Sequence, residues 1–318
     1  MQLSDRVGRR MKLHDLHVLM AVVDAGSMNR AAALLNTTQP AISRSIGELE
    51  RTIGVRLLDR NTKGVEPTQY GRALLDGGVA VFDELRQALK NIEFLADPTA
   101  GELRIGSPVA IAAGFVAAVV ERFSRRYPAV VFEVLAEDAD SMSRLLEERR
   151  VDVVLTRMFR PDVPENMHAQ ILYDDEPFVV AAGIQSPWTK RRKLKLADLW
   201  KEAWVLPPPH SSFGSVVSEA FRSSGLNVPK AAIITSAVPV RNALLGSGRF
   251  LTILPGSALQ FPSKSPILQG LPIKLPIAPR PIAAITLRNR TLSPLVKLFI
   301  DCACEVAKPT ARATSRTI

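Results

Sequence analysis

The sequence predicts an α/β protein with a helix-rich N-terminal part, and three observations carry that prediction. Three short amphipathic helices and a hairpin fill residues 12–68. One long helix with an apolar seam fills 69–96, and beyond Gly101 strands alternate with helices in two successive runs, the pattern of a two-lobed α/β domain. At 318 residues the chain is too long for one ordinary core, and 47% apolar with 23% charged residues is the composition of a folded chain, not a disordered one.

Leu13, Leu16, Leu19, Met20 and Val23 recur at helical spacing before Gly26, which predicts a first helix over 13–25. Ser27 can cap a second helix with Met28, Ala31, Ala32 and Leu35 on one face, ending at Asn36, Thr37 and Thr38. The third tolerates Pro40 in its first turn and places Ile42, Ile46 and Leu49 on one side. Residues 55–60 and 65–68, around Asn61, Thr62, Lys63 and Gly64, read as a small hairpin.

From 69 to 96, Leu74, Gly78, Val81, Leu85, Ala88, Ile92 and Leu95 alternate by three and four, with Leu75, Phe82 and Leu89 a heptad apart beside them. Such a seam needs a partner helix, so Leu74, Val81, Leu85, Ile92 and Leu95 are candidate dimerisation residues. Residues 97–101 (Asp, Pro, Thr, Ala, Gly) break the helix and mark a domain boundary.

Beyond it, strands are expected at 103–106, 130–135, 151–155 and 178–182, with helices at 108–126 and 141–149, which is an α/β lobe with a largely parallel sheet. A second lobe follows, with strands at 204–206, 231–235 and 250–254 and helices at 215–224 and 238–245. A last strand at 281–287 and a last helix at 295–307 return to the first lobe, which therefore takes 101–183 and 275–307 and leaves 184–274 to the second. The tail 308–318 is polar and expected to fray, and the charged stretch 190–195 reads as a solvated loop.

Several function classes are disfavoured. The longest apolar run, 109–120, is shorter than the roughly 18 residues that cross a bilayer, and the first residues lack the apolar core of a secretory signal, so a cytoplasmic protein without a membrane partner is expected. Cys302 and Cys304 are too few for a disulfide framework or a zinc cage. His14 and His17 lie one helical turn apart with no third ligand, and His168 and His210 are isolated, so neither metal nor cofactor is expected. No nucleophile elbow, P-loop or dinucleotide fingerprint follows a strand, and Gly246, Ser247 and Gly248 precede one, as a plain turn does.

The net charge of +10 invites a nucleic-acid reading, but residues 1–100 carry 13 Lys and Arg against 12 Asp and Glu, while 101–318 carry 28 against 19. A DNA argument must therefore rest on local placement. If Ile42, Ile46 and Leu49 pack inward, Gln39, Pro40, Ser43 and Arg44 share the outward face of the third helix. Arg can bridge guanine O6 and N7, Gln can bridge adenine N6 and N7, and Ser can bond a phosphate or base edge. Arg60, Thr62 and Lys63 near the hairpin tip suit flanking phosphates. Thr37, Thr38 and, at the start of the second helix, Ser27, Asn29 and Arg30 complete the candidate DNA contacts. An ordinary solvated face on a three-helix bundle is the plain alternative.

The first helix, the run AAALLNTTQPAISRSIGELERTIGVRLLDR and a long helix opening on Thr68, Gln69, Tyr70 and Gly71 together resemble a LysR-type transcriptional regulator. The resemblance implies a winged helix-turn-helix over 1–68, a linker and dimerisation helix over 69–96, and an effector domain over 101–318 with two lobes of type 2 periplasmic-binding-protein form. Thr37, Thr38, Gln39, Pro40, Ser43 and Arg44 match the family's recognition segment, and Arg60 matches the Arg closing its Leu-Leu/Phe-x-Arg element. Gly47 and Glu48 depart from it, standing where family members often carry basic residues. An extension over 1–11 carries Arg6, Arg9 and Arg10, a disordered segment or a DNA-contacting arm.

The function implied is sequence-specific promoter binding controlled by a small molecule in the interlobe cleft. The implied partners are double-stranded DNA, an anionic or polyhydroxy effector, further copies of the chain as homodimer or homotetramer, and RNA polymerase as a further candidate. Strand ends and helix starts should wall the cleft, which selects Ser107, Pro108, Thr156, Arg157, Pro209, His210, Ser211 and Ser236; Arg157 as a surface ion-pair partner is the plain alternative. A small-molecule-processing α/β enzyme with a fused helical oligomerisation module is the competing reading, disfavoured because no nucleophile, base and orienter are pinned together. A transporter's binding protein would need an export signal.

Overall fold

The computed structural model describes residues 11–61, 64–260 and 267–314. Three helices, α1 (Leu13–Ala25), α2 (Met28–Leu34) and α3 (Gln39–Ile53), are followed by an antiparallel hairpin of β1 (Leu58–Asn61) and β2 (Gly64–Pro67), then by α4 (Gln69–Ala96). Their core is Val18, Leu19 and Val22 of α1, Met28, Ala31 and Ala32 of α2, Ile42, Ile46 and Leu49 of α3, with Leu57 and Leu58. Leu13, expected inside, is exposed, and Asp15 is buried instead. The reason is a polar lock: Ser45 Oγ of α3 donates to Asp15 Oδ1 at 2.6 Å, which turns that face of α1 inward. Ser27 stands at the N-cap of α2 as expected, but its hydroxyl makes no capping bond.

Gly26 ends α1 at φ 62°, a left-handed conformation that glycine adopts without a Cβ clash. Its carbonyl accepts from Val65 N at 3.2 Å, which ties the hairpin to the first helix. At the start of α4, Gly71 N donates to Thr68 Oγ1 at 3.1 Å.

The chain separates into two compact units between Arg86 and Gln87, inside α4 and not at the predicted break over 97–101. The last turns of α4 belong to the second unit because Lys90 Nζ donates to Asp152 Oδ2 at 3.2 Å and to Glu102 O at 3.3 Å, and Phe94 packs on the first lobe's core.

That lobe holds β3 (Ala100–Pro108), β4 (Ala129–Glu137), β5 (Val153–Arg157), β6 (Met167–Asp174) and β12 (Pro281–Leu287) in the order β4-β3-β5-β12-β6. Strand β3 runs parallel to β4 and β5, whereas β12 is antiparallel to β5 and β6, so the sheet is mixed and less parallel than expected. The chain re-enters this lobe from the second one, and that return sets the direction of β12. The predicted first helix is a turn at Val109–Ile111, a π-turn at Ala112–Val116 and α5 (Ala117–Arg126); α6 (Met142–Glu147) covers the other face. Phe115, Phe123 and Phe299 fill one side of the sheet, and Met142, Leu145 and Leu146 the other.

In the second lobe β10 (Leu251–Pro255) and β11 (Leu268–Gly270) flank β7 (Phe178–Gly183), both antiparallel to it, and β8 (Val205–Leu206) pairs in parallel with β9 (Ile233–Ile234). Helices α7 (Ser212–Ser223) and α8 (Val238–Gly246) complete it, and α9 (Pro294–Thr314) follows β12. Strand β7, predicted in the first lobe, belongs to the second because its partners are β10 and β11. The crossing therefore falls at 175–177 and the return at 278–280, since Leu275 and Ile277 still pack in the second lobe's core. Two strands escaped the sequence reading: β6, half exposed at a sheet edge, and the three-residue β11. Among the described residues no helix is long and apolar enough to cross a membrane.

Candidate nucleic-acid interface and ligand cleft

With Ile42, Ile46 and Leu49 held in the core, the opposite side of α3 is fixed. Thr37, Thr38, Gln39, Pro40 and Arg44 are exposed and Ser43 is half-buried. The turn before it is set by Asn36 at φ 51°, a conformation that Asn tolerates better than most residues. Thr38 is the N-cap but makes no side-chain capping bond, and Arg44 forms no hydrogen bond or ion pair among the described residues. Asn29 and Arg30 are exposed at the start of α2, Ser27 is half-buried, and Arg60 is exposed on β1. Thr62, Lys63, Arg6, Arg9 and Arg10 lie outside the described residues.

Glu50 has a structural part that sequence spacing did not reveal. Its Oε1 accepts from Leu57 N at 2.7 Å and Leu58 N at 3.3 Å, anchoring the hairpin to α3. Gly47 and Glu48 are half-buried, so the departures from the family pattern fall beside the exposed face and not on it.

Along α4 the candidate dimerisation residues divide. Leu74 is half-buried against the N-terminal core, which removes it from a free seam. Val81, Leu85, Ile92 and Leu95 are 42%, 43%, 61% and 81% exposed, and Leu89 beside them 60%. An apolar row of that length on one helix is a surface suited to a partner.

Between the lobes lies a cavity of about 300 Å³. Pro108 and Arg157 reach it from the first lobe, and His210, Ser211 and Ser236 from the second. Ser107 and Thr156 do not line it: Ser107 is fully buried and its hydroxyl donates to Leu155 O at 2.8 Å, while Thr156 is buried with its hydroxyl unpartnered. Side chains alternate across a strand, so an Arg157 that faces the cavity turns Thr156 away from it. Pro209 lines a separate shallow depression with Arg222 and Asn227.

The charges of the cleft differ from those expected. Arg157 is buried, and its Nε and Nη2 both donate to Asp175 Oδ2, the former at 3.0 Å, so the pair is neutral. Tyr173 nearby has its pKa pushed up by burial and then by the Asp175 charge. Among the described residues lining the cleft, the arginine without a carboxylate partner is Arg241 in the first turn of α8, a position that strand ends do not mark. Its Nε and Nη2 donate to the Asn242 amide oxygen, both at 3.2 Å, and burial pushes its pKa down from the ordinary guanidinium value. Asp140 of the first lobe accepts from the N–H of Ser212 at 3.2 Å and from its hydroxyl, joining the lobes across the start of α7. Ser211 Oγ is committed as the α7 cap, accepting from Gly214 N at 3.0 Å and donating to Pro208 O at 2.7 Å.

Two family models match the chain: a bacterial regulatory helix-turn-helix protein of the lysR family over residues 13–72, and a LysR substrate binding domain over 96–308. Among curated relatives, the transcriptional regulator GbpR of Azospirillum brasilense is 26% identical over 290 residues, 90% of this chain and 83% of that protein. TdcA of Escherichia coli K12, also a transcriptional regulator, is 24% identical over 294 residues, 92% and 93% of the two chains. In fold, the chain is similar to the LysR-family regulator CbnR (TM-score 0.66, 21% identity, 93% of this chain and 99% of that one). It is likewise similar to full-length OxyR from Pseudomonas aeruginosa (TM-score 0.68, 19% identity, 94% and 97%) and to CbnR solved with its target DNA (TM-score 0.55, 22% identity, 93% and 100%).

Proposed function

The chain belongs to the LysR family of DNA-binding transcriptional regulators, and from that premise we propose that it reads promoter DNA with the outward face of α3 and reports a small molecule bound between its lobes. The observation that carries this reading is the bare polar row from Thr37 to Arg44 on a helix whose opposite side is locked into a core. Gln39, Ser43 and Arg44 address base edges in the major groove; Thr37, Thr38, Asn29, Arg30 and the hairpin's Arg60 hold phosphates. CbnR, similar in fold, has been solved in complex with its target DNA, which supports DNA as the partner here.

Two copies pair along Val81, Leu85, Ile92 and Leu95, giving a dimer that spans two half-sites or a tetramer built from such dimers. The effector enters the cleft between Arg157, His210 and Ser236. Closing the lobes on it biases the placement of the paired heads by a coupling of about 1 to 3 kcal/mol. The protein acts in the cytoplasm, with RNA polymerase as the partner through which a bound dimer changes transcription.

An electrophoretic shift with DNA flanking the chain's own gene tests the reading. The full chain is expected to retard that DNA, and to release it to an excess of the same unlabelled duplex but not to a scrambled duplex of the same length. Equal binding to the two duplexes would overturn sequence-specific recognition.

A further inference from the structure

Resting on the cleft as the effector site, we propose that its ligand is a small zwitterion of the α-amino acid type, its carboxylate on Arg241 and its ammonium group on the Asp138 side of the opposite lobe. The cleft holds opposite uncompensated charges on its two walls. On the second lobe, Arg241 stands in the first turn of α8, where the helix end is already positive and a cation is disfavoured. Its one hydrogen-bond partner is the amide oxygen of Asn242, and no carboxylate of the described residues offsets its charge. A mostly buried guanidinium that faces a cavity without an anion lacks half of an ion pair, and its planar fork suits a carboxylate.

The first lobe presents the opposite sign, through Glu137, Asp138 and Asp140. Two of these are occupied: Glu137 lies 3.5 Å and 4.0 Å from Arg144 and Arg150, and Asp140 holds Ser212. The Asp138 carboxylate has no partner among the described residues. Arg157 changes nothing in this balance, because Asp175 neutralises it.

The anionic and polyhydroxy ligands expected from sequence are thereby set apart from a zwitterion. A phosphate or polycarboxylate satisfies Arg241 but meets the acidic wall, and a polyhydroxy compound leaves Arg241 without a counter-charge. A zwitterion answers both walls. Val109, Ile111, Phe159 and Phe213 give its body apolar contacts, and a cavity of about 300 Å³ is of amino-acid size.

The test is a thermal-shift and calorimetric comparison on the full chain. The probes are the twenty protein amino acids and, for each that binds, the amine lacking its carboxylate and the acid lacking its amine; citrate, inorganic phosphate and glucose serve as controls. At least one amino acid is expected to bind saturably, with either truncated analogue weaker by about tenfold or more, the loss of a charge-assisted hydrogen bond. Arg241→Gln should abolish that binding, and Asp138→Asn should weaken the amino acid while sparing the deaminated acid. Arg241→Lys keeps the charge without the fork, and provides a folded variant with weaker binding if the Gln form is unstable.

Absence of binding by any amino acid, or a deaminated acid as tight as its parent, or unaltered affinity in both Arg241 variants, overturns the proposal. If a control ligand binds instead and His210→Ala weakens it, the cleft remains the effector site and only the zwitterion assignment falls.

Discussion

In the first half of α4, Leu74 and Leu75 are packed against the three-helix core and Gly78 lies against Leu16, whereas in the second half Leu85, Leu89, Ile92 and Leu95 continue the same apolar spacing on an exposed surface. The pattern is continuous while its environment changes. Apolar periodicity records that one face avoids water, not which body covers it. The second half is held to its own unit by Lys90 on Asp152 and by Phe94 on the first lobe's core, and its apolar row stays exposed.

Leu85→Asp is the strongest test of that contrast. In a symmetric seam it buries two unpaired carboxylates, each costing about 3 to 5 kcal/mol, so the full chain should sediment as a monomer at micromolar concentration and lose most of its DNA affinity. A variant that stays dimeric would place the pairing surface elsewhere.

Asp152→Asn probes the polar anchorage. Burial raises the Asp152 pKa, but the Arg104 hydrogen bond and the Lys90 and Arg104 charges outweigh it and hold the carboxyl well below the usual range. Arg290 adds a bond to Oδ1 at 2.8 Å. A depressed native pKa gives stability that is complete above the unfolded value near 4 and is lost as pH falls through the native one. Urea titrations should show wild type weakening below about pH 4, with Asp152→Asn destabilised by about 3 to 5 kcal/mol at neutral pH and flatter across the acid range. An Asn variant of wild-type stability would show that this carboxylate does not secure the helix.

Arg44→Ala should lower specific DNA binding by about 1 to 3 kcal/mol with thermal stability unchanged. A uniform loss on all sequences would make Arg44 a phosphate contact, and no loss would remove it from the interface. Leu74→Ala belongs to the covered half of α4 and should cost about 1 to 2 kcal/mol of stability, less than a fully buried leucine, without changing the oligomer. Dissociation of the dimer by this change would erase the distinction between the halves.

The smallest effect is expected from Thr156→Val. It replaces a buried hydroxyl that has no partner by a methyl group of the same shape, so stability should hold or rise by up to about 1 kcal/mol and ligand affinity should not move. A clear loss of ligand binding would return Thr156 to the cleft.

Legibility in the sequence followed the same physics. The outward face of α3 could be read because Ile42, Ile46 and Leu49 leave only one orientation for Arg44. In the cleft the same reasoning failed at Ser107 and Thr156, because strand ends locate a cavity's edge but not which of two adjacent side chains faces it. Arg241 was missed because its importance lies in a counter-charge that is absent, and Glu50 because its bonds run to backbone seven and eight residues away. The lobe boundary was misplaced because β7 has the apolar run of a strand without a mark saying which sheet it joins.

The two crossings between lobes leave from neighbouring strands, with Asp174 of β6 paired to Pro281 of β12. Two attachments side by side make a narrow pivot, and the Arg157–Asp175 pair sits on it. Asp140 follows β4, three strand spacings from β12 and so about 14 Å along the sheet. A rotation of about 5° would displace a point at that radius by about 1 Å, enough to break the Asp140–Ser212 contact while barely stretching the pair at the pivot. Lever arm thus divides the interlobe bonds into one that tracks opening and one that survives it, and a reporter group placed near Asp140 would register motion that the same group at Asp175 would not.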